Sequence, residues 1–264
     1  METFDGVSGE YGSRSVVQRK AGRKLLDLLD LAGDESILDV GCGPGHLTRM
    51  LADATGGRVV GTDISGGMIA QACESYPDLE FRRVPAEGLD YDGEFDVVYC
   101  NSTFQWFTDA KGALEAMHRA LKPGGKIAIS CPSTPEFAPW FNDIVRVVSE
   151  RPEIRPTFAH WKKPWFHLPD RDAYQALFEE AGFETSYIAL EHEVTRHTVE
   201  EAFGIFSTGA AQGFISQAYY DIELTPEYLA AFHRAAREEM ERRAKDWMVE
   251  VDFNRLYYIG TFVS

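Results

Sequence analysis

The sequence predicts an α/β fold: a doubly wound, mostly parallel sheet of seven strands with a helical cap inserted late in the chain. Three observations carry this expectation. Short apolar runs alternate with helical patterns as far as residue 130, the rhythm of a parallel sheet covered on both faces. The first run leads into glycines at 41, 43 and 45, and a helical pattern starts at His46. The alternation then breaks, and seven of the twelve prolines fall between Pro132 and Pro169.

Each element has its own signal. Val16, Val17, Leu25, Leu26, Leu28 and Leu29 recur at helical spacing among Arg and Lys, which predicts a helix over 12–31. Strands are expected at 36–40, 58–62 and 79–84, with helices at 46–54 and 66–75 between them. Residues 95–100 form a fourth strand, apolar almost throughout, as a strand covered on both faces should be. A helix over 109–121 stops at Lys122-Pro123-Gly124-Gly125, where proline ends it and glycine supplies positive φ. The fifth strand follows at 126–130.

Residues 133–170 hold Trp140, Trp161, Trp165 and His167. They read as a cap of short helices and loops, because linkers are poor in aromatics. A helix over 172–181 ends at Gly182, and the last strands are expected at 183–190 and 257–263. Thr225 and Pro226 suit the N-cap and first position of a long helix. Leu229, Phe232, Ala236, Met240 and Trp247 would share one face of it, as core packing or a lid seam. The chain thus reads as a single domain in three stretches: 1–132, the N-terminal helix and core; 133–170, the cap; and 171–264, which completes the sheet.

Composition narrows the function. No apolar run approaches the ~20 residues that span a membrane. The N-terminus lacks a basic segment followed by an apolar one, so no secretory signal is read and a cytoplasmic protein is expected. Cys42, Cys73, Cys100 and Cys131 are scattered and form no C-x-x-C pair, so each is expected to be small apolar filler. With 42 acidic against 26 basic residues the net charge is −16, which argues against a nucleic-acid partner.

A strand, a glycine turn and a helix N-terminus make a cradle for a nucleotide-like ligand. Asp39 stands two residues before Gly41, and the glycines are spaced G-x-G-x-G rather than G-x-G-x-x-G. Asp63 ends the second strand, where a carboxylate can accept both ribose hydroxyl protons. Its alternative role is to cap the helix starting near Ser65. Ligands of open α/β sheets bind outside the carboxyl ends of the strands. The positions to inspect are therefore Ile64, Ala86 and Glu87, and the loop from Asn101 to Phe107.

Asp39, the glycine triplet and Asp63 together resemble the first motifs of the class I S-adenosylmethionine-dependent methyltransferases, which have a Rossmann-like core. The resemblance covers about residues 8–132. It implies S-adenosylmethionine as cofactor, held around Asp39, Gly41, Cys42, Gly43, Gly45, Asp63, Ile64, Ala86, Glu87 and Asn101. Tyr11 resembles a family tyrosine near the sulfonium, where an aromatic face suits a cation. Enzymes of this class that methylate base amino groups often carry Asn/Asp-Pro-Pro-Tyr after the fourth strand. Here Asn101 is present and both prolines are missing.

Three stretches are also similar to carboxyl methyltransferases of the juvenile hormone acid, trans-aconitate and malonyl-carrier-protein kind: 15–19, 60–65, and 104–107 with 111–114. In the juvenile hormone acid group a glutamine and a tryptophan hold the substrate carboxylate, and by motif these match Gln18 and Trp106. Both are neutral donors that can orient a carboxylate without quenching its oxygen. Otherwise Trp106 is core and Gln18 a surface helix residue. The acceptor would be a small organic acid. A carboxylate is already ionised at pH 7 and needs neither a general base nor a metal. His160, Lys162, Lys163 and His167 could line its pocket or merely decorate an aromatic cap. The rivals are methylation of a hydroxyl, amine or carbon, nicotinamide-dependent oxidoreduction, and cofactor binding without catalysis.

Overall fold

The fold is taken from a computed structural model that describes residues 16–263. Its contacts divide the chain into two compact units. One comprises Met1–Pro135, Phe166–Glu191 and Arg255–Ser264, the other Glu136–Trp165 and His192–Asn254.

The first unit carries the alternation seen in the sequence. α1 (Val16–Leu29) precedes β1 (Ile37–Val40), α2 (His46–Ala54), β2 (Val59–Asp63), α3 (Gly66–Ser75) and β3 (Glu80–Arg83). Then come β4 (Phe95–Asn101), α4 (Ala110–Ala120), β5 (Leu121–Pro132), α7 (Arg171–Glu180), and the long strands β6 (Phe183–Thr198) and β7 (Met248–Phe262), which contribute residues to both units. The strand order is β3-β2-β1-β4-β5-β7-β6. β1 pairs in parallel with β2 and β4, β2 with β3, and β4 with β5, while β7 runs antiparallel to β5. This is the Rossmann-like sheet expected from the sequence. The strand order reverses at β1, so the crevice outside the carboxyl ends of β1 and β4 is where such sheets take ligands.

Side chains alternate across the sheet, as strand geometry requires. Leu38, Val40, Val98, Cys100, Ile127 and Ile129 join one buried cluster. Ile37, Val97, Tyr99 and Ala128 join the other, where Ala21, Leu25 and Leu29 of α1 pack at i, i+4 and i+8. Both faces are thus covered. Tyr99 donates from its hydroxyl to the carbonyl oxygen of Gly22 at 2.6 Å, which fixes α1 over β4.

Several expectations shift. α1 ends at Leu29, and Asp30 has a φ of +48°. The turn at 122–125 is a bulge inside β5: Phe95 pairs with Leu121 and Val97 with Lys126, and Gly124 takes a φ of +77°. Cys73 is exposed rather than filler.

The second unit holds α5 (Pro139–Ser149), α6 (Arg155–Phe158), α8 (Val199–Thr208), α9 (Ala211–Ile215) and α10 (Pro226–Arg243). Its core is aromatic. Phe158 stacks on Trp161 and Phe232 at 5.4 and 6.3 Å, and Phe214 sits 4.9 Å from Trp165. α10 buries Phe232, Ala236 and Met240. Trp247 does not join that stripe. The helix stops at Arg243, and Trp247 sits in a turn with φ +61° and 81% exposure. His160 and Lys162 both meet Asp221, at 2.8 and 3.2 Å, on exposed surface. No helix among the described residues is long and apolar enough to cross a membrane.

Candidate functional site

The glycine turn is shaped from within. Gly41 has a φ of +75°, and a β-carbon on it would lie 2.2 Å from the Thr103 methyl. Only glycine therefore lets the loop after β4 pack on this turn. Gly43 has a φ of +54°, and a β-carbon on it would meet nothing within 4 Å, so its open face is the one a ligand can approach. The amides of Gly41 and Cys42 donate to the Thr62 carbonyl at 2.7 and 2.9 Å, and that of Gly45 to the Cys42 carbonyl at 3.2 Å. Gly45 is the N-cap of α2 and offers no side chain.

The two acids divide their work. Asp39 is buried and accepts from Thr48 Oγ1 at 2.7 Å, which ties β1 to α2. Burial pushes its pKa up to about 7, the Thr48 hydrogen bond opposes this, and the nearby charge of Asp63 adds to it. Asp63 is half-buried at the tip of β2. Its Oδ2 accepts from the Gly43 amide at 2.9 Å and its Oδ1 from the Ser65 amide at 2.8 Å. The side-chain cap of α3 is Ser65, which accepts from the Met68 amide at 3.1 Å. The Asp63 carboxylate instead turns to the glycine loop.

Apolar and polar groups flank this pair. Ile64 is 43% exposed, and its carbonyl accepts from Arg83 Nε at 3.2 Å. The amide of Val84 donates to the Asp63 carbonyl at 3.0 Å, which brings the end of β3 to the tip of β2. Ala86 is buried at the start of a short 3-10 turn (Ala86–Gly88), and Glu87 is exposed. Asn101, at the end of β4, is 6% exposed and donates from Nδ2 to the Gln18 carbonyl at 3.0 Å. Its Oδ1 is buried with no hydrogen-bond partner among the described residues.

The chain is similar to known proteins. A family profile described as "Methyltransferase domain" matches residues 37–125. The malonyl-[acyl-carrier protein] O-methyltransferase of Acetivibrio thermocellus is 38% identical over 132 residues, 48% of this chain and 47% of that one, so the chain spans about half the length of that relative. A trans-aconitate 2-methyltransferase of Methylobacterium nodulans is 28% identical over 97% of this chain and 98% of its own. A demethylmenaquinone methyltransferase of Beutenbergia cavernae is 31% identical over 68% of this chain and 80% of its own. This chain belongs to the class I S-adenosylmethionine-dependent methyltransferases. The fold agrees: a Bacillus halodurans C-125 crystal structure described as a methyltransferase gives a TM-score of 0.63 at 18% identity, covering 93% and 100% of the two chains. Geranyl diphosphate C-methyltransferase of Streptomyces coelicolor A3(2), solved with S-adenosylhomocysteine, gives 0.54 at 16% identity over 93% and 80%.

The methyltransferase crevice fits the family's cofactor on its own chemistry. The open face of Gly43 leaves room for a ligand. Asp63 could accept from ribose hydroxyls, exposed Ile64 could cover an adenine face, and the unpartnered Asn101 Oδ1 could accept from an ammonium group. Cys42 is buried beside Asp39 and Asp63, and burial with those two charges pushes its thiol well up, so it serves as filler and not as a nucleophile.

The Asn101 bond joins α1 at Gln18 to the end of β4. Gln18 and Trp106 are both half-buried, and Trp106 ends the 3-10 turn Phe104–Trp106. Phe104 anchors that turn in a ring cluster with Phe107, Phe166 and Phe178, at 5.4, 5.8 and 5.7 Å. Tyr11 lies outside the described residues. Sequence reasoning missed Thr48, Thr103 and Arg255. Arg255 carried a signal, as a lone cation beside the apolar run 256–259.

The raised pKa of Asp39 has a measurable effect on stability. The native protein keeps a proton up to about pH 7 that the unfolded chain releases near 3.8. The contribution is therefore full below pH 3.8 and is lost as pH rises to about 7. In thermal melts across that window, Asp39→Asn should remove this downward slope while keeping an acceptor for Thr48. An unchanged slope would mean that Asp39 titrates normally.

Proposed function

We propose that the protein transfers a methyl group from S-adenosylmethionine to a carboxylate oxygen of a small organic acid. The observation that supports this reading is the bond from Asn101, at the end of β4, to the Gln18 carbonyl, which ties the glutamine-bearing helix α1 to the strand that leads into the turn bearing Trp106. Both side chains are neutral donors, suited to aligning an anion that must stay nucleophilic. The relatives named above add support, since one acts on malonyl oxygen and another on trans-aconitate.

When bound, the cofactor would supply a methyl group on a sulfonium: the S–CH3 bond breaks as the C–O bond forms, and the sulfur leaves as the neutral thioether of S-adenosylhomocysteine. Asp63 and the open face of Gly43 would hold the nucleoside, with Ile64 and Ala86 lining the base and Asn101 meeting the amino-acid end. Gln18 and Trp106 would hold and orient the acceptor carboxylate for transfer. No proton has to move, because the carboxylate is ionised at neutral pH. Rate comes from alignment and exclusion of water.

The test is methyl transfer to a panel of mono- and polycarboxylic acids, phenols and amines, with products read by mass spectrometry. A methyl ester that mild alkali hydrolyses is expected. An alkali-stable methylated product would move the acceptor to a phenol oxygen, nitrogen or carbon.

A further inference from the structure

One buried charge stands outside the groups assigned so far. Arg255 of β7 is 2% exposed and lies opposite Pro132, at the carboxyl end of β5. Its Nη1 donates to Ser102 Oγ at 3.0 Å and to Ser130 Oγ at 3.4 Å. Ser102 directly follows β4 and has a φ of +57°, a conformation that residues with a β-carbon rarely adopt. Backbone strain of this kind persists only where neighbours over-determine it.

Here three groups grip Ser102. Its amide donates to the Ser130 carbonyl at 2.6 Å. Its carbonyl accepts from Gln105 Nε2 at 2.8 Å, and its hydroxyl accepts from Arg255. The next residue, Thr103, donates from Oγ1 to the Gly41 carbonyl at 3.1 Å, and the Trp106 amide donates to the Thr103 carbonyl at 2.8 Å. The backbone at 102 thus sets where the turn ending in Trp106 begins, and the same stretch touches the glycine loop.

We propose that Arg255 is a positioning residue for methyl transfer. By holding the Ser102 hydroxyl it keeps the loop after β4 in its left-handed turn, and so fixes Trp106 at the crevice. The assignment rests on the proposed role of Trp106 at the acceptor. A hydrogen bond from a charged donor is strong enough to offset the cost of one left-handed residue. Without it the loop relaxes, and a misplacement of about 1 Å can cost about 100-fold in rate.

The experiment compares Ser102→Ala with Ser102→Gly in the full chain. Alanine loses the hydroxyl and keeps the backbone penalty, whereas glycine adopts positive φ freely. Ser102→Ala should lower kcat about 30-fold with the cofactor Kd unchanged, while Ser102→Gly stays within about 3-fold of the parent. Arg255→Gln should behave like Ser102→Ala, and adding Ser102→Gly to it should restore most of kcat. If Arg255→Gln does not fold, the Ser102 pair decides alone. Hydrogen–deuterium exchange over residues 101–107 needs no acceptor and should rise in Ser102→Ala but not in Ser102→Gly.

Equal kcat losses in the alanine and glycine variants would overturn the proposal. So would a double variant no faster than Arg255→Gln, or altered exchange without altered kcat. If the methyl goes to an atom other than a carboxylate oxygen, the same contrast is read on that acceptor. Failure of the carboxylate reading therefore stays separate from failure of this one.

Discussion

Asp63→Ala is expected to weaken S-adenosylmethionine binding about 100-fold, close to 2.8 kcal/mol, when titrated calorimetrically. The reason lies in what the carboxylate holds. It accepts from the Gly43 and Ser65 amides at 2.9 and 2.8 Å, so its position is fixed before any ligand arrives. Each ribose hydroxyl given to it makes a hydrogen bond to a charged acceptor, a stronger kind than one between neutral groups. Alanine removes both and also releases the Gly43 amide from its partner. Asp63→Asn should fall between parent and alanine, since it keeps one acceptor oxygen and loses the charge. An affinity within about 3-fold of the parent for Asp63→Ala would place the ribose elsewhere.

Trp106→Ala should lower kcat about 50-fold and Gln18→Ala about 10-fold, with cofactor affinity within about 2-fold of the parent in each. The two sit on different elements, a 3-10 turn after β4 and the helix α1, which Asn101 ties to the end of β4. Losing either donor leaves the acceptor oxygen free to swing off the line of attack. The Trp106 change is the larger because it also removes a broad apolar face that excludes water. The double variant should lose less than the product of the single effects, because groups that align one substrate act as a unit. Full turnover in both single variants would end the carboxylate-clamp reading.

Much of the first unit was legible because its local signals agreed. The glycine spacing, Asp63 at a strand tip and the apolar run 95–100 all point to one topology, and consistency across levels marks a well-specified fold. Asp63 itself was ambiguous between capping and ligand binding. Only geometry separates these: Ser65 takes the cap and leaves the carboxylate to the glycine loop. The second unit was harder to read. α8 opens with a capping box, Thr198 and Glu201, and the sequence shows it. Yet Val199–Thr208 is short and apolar, and such a run cannot be told from a strand by periodicity. Trp247 was misplaced because its spacing from Met240 continues the stripe, although the helix ends at Arg243. The pairing of Arg255 with Ser102 was beyond sequence reasoning. They stand 153 residues apart, and only the antiparallel insertion of β7 beside β5 brings them together.

The measurement that bears most directly on the whole account is a crystal structure of the protein soaked with S-adenosylhomocysteine. The ribose hydroxyls should lie within hydrogen-bond distance of the Asp63 carboxylate, with the base beside Ile64 and the amino-acid tail at Asn101. A nucleoside bound away from the ends of β1 and β2, or no binding at all, would contradict it.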